Sequence, residues 1–340
     1  MPARISIIPG IMVWLLLTFD PTETGGGVIF DYMYHQRTIK KDIYCRSVGL
    51  HSGRKVSMVI RPADADTGIV FRRSDLPGDV RVKASLENVS DTTLATTIGL
   101  NGTAVSTIEH LMSAMSGMGV DNAIVEVSAP EVPIMDGSAL PFVQSLKEVG
   151  TNVQDRCKKI LVVTRPVTVT DGYRRASLLP CPCFRITYTI SFTHPSIGDQ
   201  TFEMTFSDEA YERDICSART FGFLKDVEYL QARGLALGGS LKNAIVLDDH
   251  RIINKEGLRF PDEFVKHKIL DAIGDLSLLG MPIIGHFVAN RSGHRLNNRL
   301  LKELLLHEDA YRIVTKFPEH ETNERLEIPS FRILDSVMAS

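Results

Sequence analysis

Apolar residues along this chain first alternate with polar ones in short runs and then recur at three- and four-residue spacing, and that order occurs twice. Val56, Met58 and Ile60 alternate with polar neighbours after the punctuation Gly49-Leu50-His51-Ser52-Gly53. Residues 38–62 therefore predict a strand, a glycine-containing turn and a second strand of a half-buried sheet. Ser106-Thr107-Ile108-Glu109 has the form of a capping box and opens a helix carrying Ile108, Leu111, Met112 and Met115. That helix ends near Gly117 and Gly119. Residues 123–127 read as a strand, residues 130–137 as a loop, and residues 141–148 as a second helix stopped by Gly150.

The second half repeats the order. Phe184, Ile186, Tyr188, Ile190 and Phe192 alternate with polar residues, as do Phe202, Met204 and Phe206, which predicts antiparallel strands with one buried face. Helices are expected over residues 224–233, stopped by Gly234, and 262–279, stopped by Gly280; a strand over 283–288 and a helix over 297–306 follow. Strands followed by helices predict α+β layers rather than a doubly wound parallel sheet. Both halves end on a helix, a glycine and a strand (119–127 and 280–288), a pattern pointing to internal duplication. The polar stretch 152–156 marks the expected boundary between a first domain of residues 36–155 and a second of residues 156–320.

Composition adjusts this picture little. With 340 residues, 44% hydrophobic and 23% charged, the chain is long enough for two ordinary globular domains. Thirty-eight basic residues nearly balance 41 acidic ones, so no strong field favours a nucleic-acid partner. The five cysteines (Cys45, Cys157, Cys181, Cys183, Cys216) are odd in number and scattered, which argues against a disulfide framework and for a reducing, cytoplasmic setting. Cys181-Pro182-Cys183 is spaced more tightly than a usual zinc pair, and no second Cys/His pair follows it. Arg4 precedes an apolar run at residues 11–17, the shape of a signal peptide. No small-residue cleavage site follows, and the run is shorter than the ~20 residues needed to span a bilayer. Residues 1–35 are thus expected to be an extension outside the fold, without stable membrane insertion, and residues 321–340 a C-terminal tail.

Chemistry enters with a few side chains. His267, Asp271 and Asp275 recur at i, i+4, i+8, so one helix face offers an imidazole and carboxylates to a metal; a solvated charged face has the same spacing. Glu109-His110 pairs a carboxylate with a metal-ligating residue type, although a glutamate at that place is also explained as a helix cap. His294, in Ser292-Gly293-His294-Arg295, reads as a turn between strand and helix, either functional or an ordinary surface loop. His51 is explained by its turn. Nucleophile elbows, P-loops, dinucleotide fingerprints and H-E-x-x-H are absent, which leaves a metal as the favoured chemistry.

Five segments then occur together: Ser106-Thr107-Ile108-Glu109-His110-Leu111, Pro133-Ile134-Met135-Asp136-Gly137-Ser138, Ala218-Arg219-Thr220-Phe221-Gly222-Phe223, residues 266–276 around His267 and Asp271, and Ser292-Gly293-His294. In this order, from about residue 36 to residue 317, the chain resembles the UDP-3-O-acyl-N-acetylglucosamine deacetylases, zinc-dependent enzymes of lipid A biosynthesis. The resemblance implies two similar α+β domains packed helix layer against helix layer, with the active site between them. It implies zinc, with iron(II) also suited to the ligands, on His110, His267 and Asp271. Glu109 becomes the general base, and the Thr220 hydroxyl a partner of the developing oxyanion. His294, kept protonated by Asp275, donates to the leaving amine. Lys268 becomes a substrate-binding cation, and Phe221, Phe223 and an insert around residues 221–256 an apolar passage for an acyl chain, with a plain packed helix as the alternative for residues 224–237. The expected reaction is hydrolysis of the acetamide of an acylated UDP-N-acetylglucosamine, the committed step of its pathway. Its rivals are a non-catalytic UDP-sugar or metal-binding module, and an amidase of the same chemistry acting on another amide.

Overall fold

The computed structural model describes residues 34–315, so the signal-like run at residues 11–17 and the tail at 321–340 lie outside the described residues. In chain order the first half forms β1 (His35–Ile39), β2 (Ile43–Val48), β3 (Lys55–Pro62), β4 (Ile69–Arg73), β5 (Arg81–Lys83), β6 (Val89–Asp91), β7 (Thr97–Leu100), β8 (Thr103–Val105), α1 (Glu109–Gly117), β9 (Ala123–Val127), α2 (Leu140–Val149) and β10 (Thr151–Cys157). The second half continues with β11 (Ile160–Val163), β12 (Val167–Asp171), β13 (Arg174–Leu179), β14 (Phe184–Ser191), β15 (Asp199–Thr205), α3 (Asp208–Asp214), β16 (Phe221–Phe223), α4 (Leu224–Gln231), β17 (Ile245–Leu247), α5 (Glu263–Leu276), β18 (Ile283–Asn290), α6 (His294–Leu306) and β19 (Tyr311–Val314).

Two main sheets carry the helices. The first has the order β2-β3-β9-β4-β5, with β9 antiparallel to β3 and parallel to β4. In the second, β18 is antiparallel to β13 and parallel to β14, and β15 pairs with the far side of β14. Each central strand is reached alike: α1 leads through Gly119 (φ 71°) to β9, and α5 through Gly280 (φ 72°) to β18. The repeated helix, glycine, strand unit expected from the sequence is present in both halves. Alternation in β3 and β14 also holds, burying Val56, Met58 and Ile60 in one and Phe184, Ile186, Tyr188 and Ile190 in the other.

The helices meet between the sheets, giving an α+β fold packed helix layer to helix layer. Helix α5 lies between its own sheet and α1, so it is buried on nearly every side and only Lys266 and Lys268 are partly exposed. A surface helix would keep a polar stripe; one enclosed by two layers does not. Phe264, Ile269, Leu270 and Ile273 are each at most 2% exposed, and each such side chain contributes about 1.5–3 kcal/mol of burial. Gly274 makes the approach of α1 and α5 close: a Cβ there would lie 2.1 Å from the carbonyl oxygen of Glu109.

Four sequence expectations shift. The capping box does not form, because Thr107 takes a left-handed conformation (φ 57°) that turns the chain between Ser106 and the helix. Ile108 is the N-cap, Glu109 is the first helical residue, and the Ser106 hydroxyl accepts from Thr97 Oγ1 at 2.8 Å. Polar residues 152–156 are the middle of strand β10, which pairs antiparallel with β1 in a two-stranded ribbon. The expected helix over 262–279 is α5 followed by a 3-10 turn, Ser277–Leu279. Helix α6 starts at His294, three residues before the expected start, with extended Gly293 as its N-cap.

Candidate metal centre

His110 follows Glu109 in the first turn of α1, and His267 and Asp271 are one turn apart on α5, so the close helix crossing brings the three together. Their ligand atoms all lie within 4.8 Å of one another, and among the described residues this is the one His/Cys/Asp/Glu group of three or more so arranged. Asp271 Oδ1 is 3.4 Å from His267 Nε2 and 3.6 Å from His110 Nε2. Both separations exceed a good hydrogen bond. They match the ~3.4 Å between two ligand atoms that share a tetrahedral ion at about 2.0–2.1 Å. The donor set therefore fits a metal. The solvated-face alternative fails, since His110, His267 and Asp271 are at most 4% exposed.

Electrostatics favour the ligating protonation states. Burial, reinforced by His110 and Lys268 against the pull of Asp271, lowers the His267 pKa to about 3, so its ring is neutral. Its Nδ1 donates to the carbonyl of Ala218 at 3.0 Å, which leaves Nε2 facing the group. For Asp271 burial works upward but is outweighed by the cation of Lys268 against it, and the carboxyl is held well below its usual range. Lys268 Nζ donates to Asp271 Oδ2 at 2.5 Å; burial would lower the amine's pKa, but Asp271 raises it.

Glu109, Asp275 and His294 form a second layer of contacts joined by a residue the sequence did not mark. Glu109 Oε2 accepts from the Thr96 backbone N–H at 3.0 Å, and the Thr96 hydroxyl donates to Asp275 Oδ1 at 2.5 Å. Asp275 Oδ2 accepts from His294 Nδ1 and from Asn297 Nδ2, each at 2.9 Å. Burial pushes the Glu109 carboxyl up, opposed by His294 and His110. Burial would depress His294, but the ion pair and hydrogen bond with Asp275 prevail and raise it to about 9. At neutral pH the imidazolium is the favoured form.

Thr220 is pinned by its backbone: its N–H donates to Gly137 O and its carbonyl accepts from Ile245 N–H, both at 2.8 Å. Gly137 has φ 85°, and a Cβ there would lie 2.0 Å from Asn243 O, so this contact requires glycine. The same segment is tied to α5 by Arg219, whose Nε donates to fully buried Glu263 at 2.8 Å. Phe221 stands edge-on to Phe264 (4.9 Å between centroids) and to His267 (6.2 Å), and Phe192 contacts both Phe221 and Phe223. Beyond them α4 buries none of its residues, and Tyr229 and Leu237 are 57% and 50% exposed.

His51 is outside the ligand group. Its backbone N–H and that of Ser52 donate to Glu131 at 2.8 and 2.9 Å, and Thr107 Oγ1 donates to the same carboxylate at 3.0 Å. Glu131, buried and missed in the sequence, thus fixes the turn that launches Glu109 and His110. Neither Thr96 nor Glu131 sits in a motif of chemistry-bearing residue types; only their contacts reveal them.

Two imidazoles and one carboxylate on an α+β frame could hold a metal ion, and a carboxylate and an imidazolium stand beside them, the residue types that metal-assisted hydrolysis uses. The family model described as "LpxC: UDP-3-O-acyl N-acetylglycosamine deacetylase" matches residues 36–306. The UDP-3-O-acyl-N-acetylglucosamine deacetylase of Syntrophus aciditrophicus (strain SB) is 59% identical over 315 residues, covering 90% of this chain and 100% of that protein. Proteins of the same name from Myxococcus xanthus (strain DK1622) and Saccharophagus degradans (strain 2-40) are each 52% identical, covering 83% of this chain and 90% and 94% of theirs. The chain belongs to this deacetylase family.

Proposed function

We propose that this protein hydrolyses the acetamide of UDP-3-O-(3-hydroxyacyl)-N-acetylglucosamine to the free amine and acetate, the committed step of lipid A biosynthesis, in the cytoplasm. The observation that carries the reading is the convergence of His110, His267 and Asp271 beside Glu109 and His294. Zinc, or iron(II), would be held by His110, His267 and Asp271, and when bound it supplies Lewis acidity, lowering the pKa of water toward about 7 and polarising a carbonyl.

The chain's own groups divide the remaining work. Glu109 accepts the proton of the attacking water; its burial raises its basicity, and the Thr96 N–H orients the carboxylate. The Thr220 hydroxyl donates to the carbonyl oxygen as charge grows there. His294 delivers a proton to the amine nitrogen as the C–N bond breaks, and Asp275 keeps that imidazole charged and aimed. Lys268 binds the substrate's polar part. Phe221 and Phe223, continuing into the exposed apolar side chains of α4, line a passage for the acyl chain.

A first unit of residues 36–155 supplies His110 and Glu109, and a second of residues 156–320 supplies His267, Asp271 and His294. Acetate release from the acylated UDP-sugar, measured with the metal content of the purified protein, tests the proposal. Binding of the sugar without acetate release, or equal release from a non-acylated UDP-sugar, would count against it.

A further inference from the structure

The connection between β13 and β14 runs Pro180-Cys181-Pro182-Cys183, and it brings two thiols together outside the candidate metal centre. Cys181 Sγ and Cys183 Sγ lie 3.6 Å apart. Two prolines restrict the backbone of this short connection, and the carbonyl of Cys183 accepts from Gly285 N–H at 3.1 Å, so the arrangement is built into the chain. Cys183 is buried, and Cys181 is partly exposed and gives access from solvent.

The separation discriminates between chemistries. It is far longer than the ~2.05 Å of a disulfide. It is a contact distance at which one thiol can donate to the other, so both sulfurs are near enough to reach one soft centre through bonds of about 2.3 Å with a small side-chain adjustment. A structural zinc site needs four ligands, and this pair forms part of no group of three or more among the described residues. A trivalent arsenical carrying one carbon substituent needs only two sulfurs.

We infer that Cys181 and Cys183 form a chelating dithiol for soft, thiophilic metal and metalloid centres, separate from the deacetylase site. With phenylarsine oxide as the probe, both thiols add to arsenic, two As–S bonds form, and the oxygen leaves as water with the two thiol protons. Arsenic stays trivalent, so no oxidant or reductant is consumed. The second As–S bond forms within one molecule, and its effective concentration makes the chelate outlast a single thiol adduct. The remaining cysteines offer no such pair: burial pushes Cys45 and Cys216 up to about 11 and about 12, and Cys157 stands exposed on β10.

The test is intact-mass analysis of the full chain treated with phenylarsine oxide and then challenged with excess 2-mercaptoethanol. One adduct per chain is expected to survive the monothiol and to be removed by a dithiol. Cys181→Ser and Cys183→Ser should each retain it about a hundredfold less well, whereas Cys157→Ser should match the unaltered protein. Cys181→Ser changes a partly exposed side chain, which separates loss of chelation from misfolding, and circular dichroism of both variants checks the fold. Absence of a monothiol-resistant adduct in the unaltered protein, or its persistence in either single variant of the pair, overturns the inference.

Discussion

Thr96 Oγ1, in the segment between β6 and β7, donates at 2.5 Å to Asp275 Oδ1 on α5, 179 positions away in sequence. The same threonine's N–H holds Glu109, so one residue reaches both the proposed base and the partner of the proposed acid. Thr96→Val removes the hydroxyl and keeps the N–H. A hydrogen bond to a charged group contributes about 1.5–3 kcal/mol, which corresponds to a roughly 10- to 100-fold fall in kcat. Steady-state kinetics should show that fall with metal content unchanged, and Thr96→Ser should recover most of it.

Glu109→Gln keeps the shape of the side chain and removes its basicity. Turnover is expected to fall by about 10²–10⁴, the usual contribution of a positioned base, while elemental analysis finds the same metal content. Near-normal turnover in this variant would remove Glu109 from the mechanism.

The pH dependence of kcat/KM should be bell-shaped. Activity rises with pH as Glu109 ionises, at a pKa lifted by burial, and falls as His294 loses its proton near pH 9. In His294→Gln the basic limb should disappear. Stability carries the same signature: His294 is raised from 6.5 to about 9 in the folded state, so its contribution is complete below about pH 6.5 and lost as pH rises through 9. Thermal melts across that window should decline more in the unaltered protein than in His294→Gln.

Chelation should abolish turnover and lower Tm together, and zinc should restore both. At a hundredfold excess over its Kd a ligand stabilises the fold by about 2.7 kcal/mol, enough to see by differential scanning calorimetry. Asp271→Asn and His267→Gln should lose the metal and become insensitive to chelator.

Gly274→Ala places a methyl against the Glu109 carbonyl, which is backbone and cannot swing aside. A cost of about 1–3 kcal/mol in denaturant melts is expected from overpacking. Turnover should fall beyond that loss, because α1 must shift with Glu109 and His110.

Much of this architecture is legible in the amino-acid sequence, for a local reason. Alternation in β3 and β14, the glycine stops and the one-turn spacing of His267 and Asp271 are all periodic features of single elements. What periodicity leaves out is the partner of each face. Whether the His267 face meets solvent or α1 depends on the helix crossing at Gly274, and the capping-box reading of Glu109 failed on one backbone angle at Thr107. The polar run at residues 152–156 belongs to strand β10, whose ribbon leaves most side chains toward water. Thr96, Asn297 and Glu131 are neutral or isolated polar residues in sequence; their roles rest on contacts between distant segments.

The division of the ligands between α1 and α5 has a mechanical side. An ion held by His110, His267 and Asp271 acts as a reversible cross-link, pinning two points of the chain that sequence keeps far apart. The unfolded chain does not hold these distant ligands together, so the binding energy of the ion adds to the stability of the folded state. Loss of the ion and separation of the layers then become one event, and metal release should track unfolding rather than precede it.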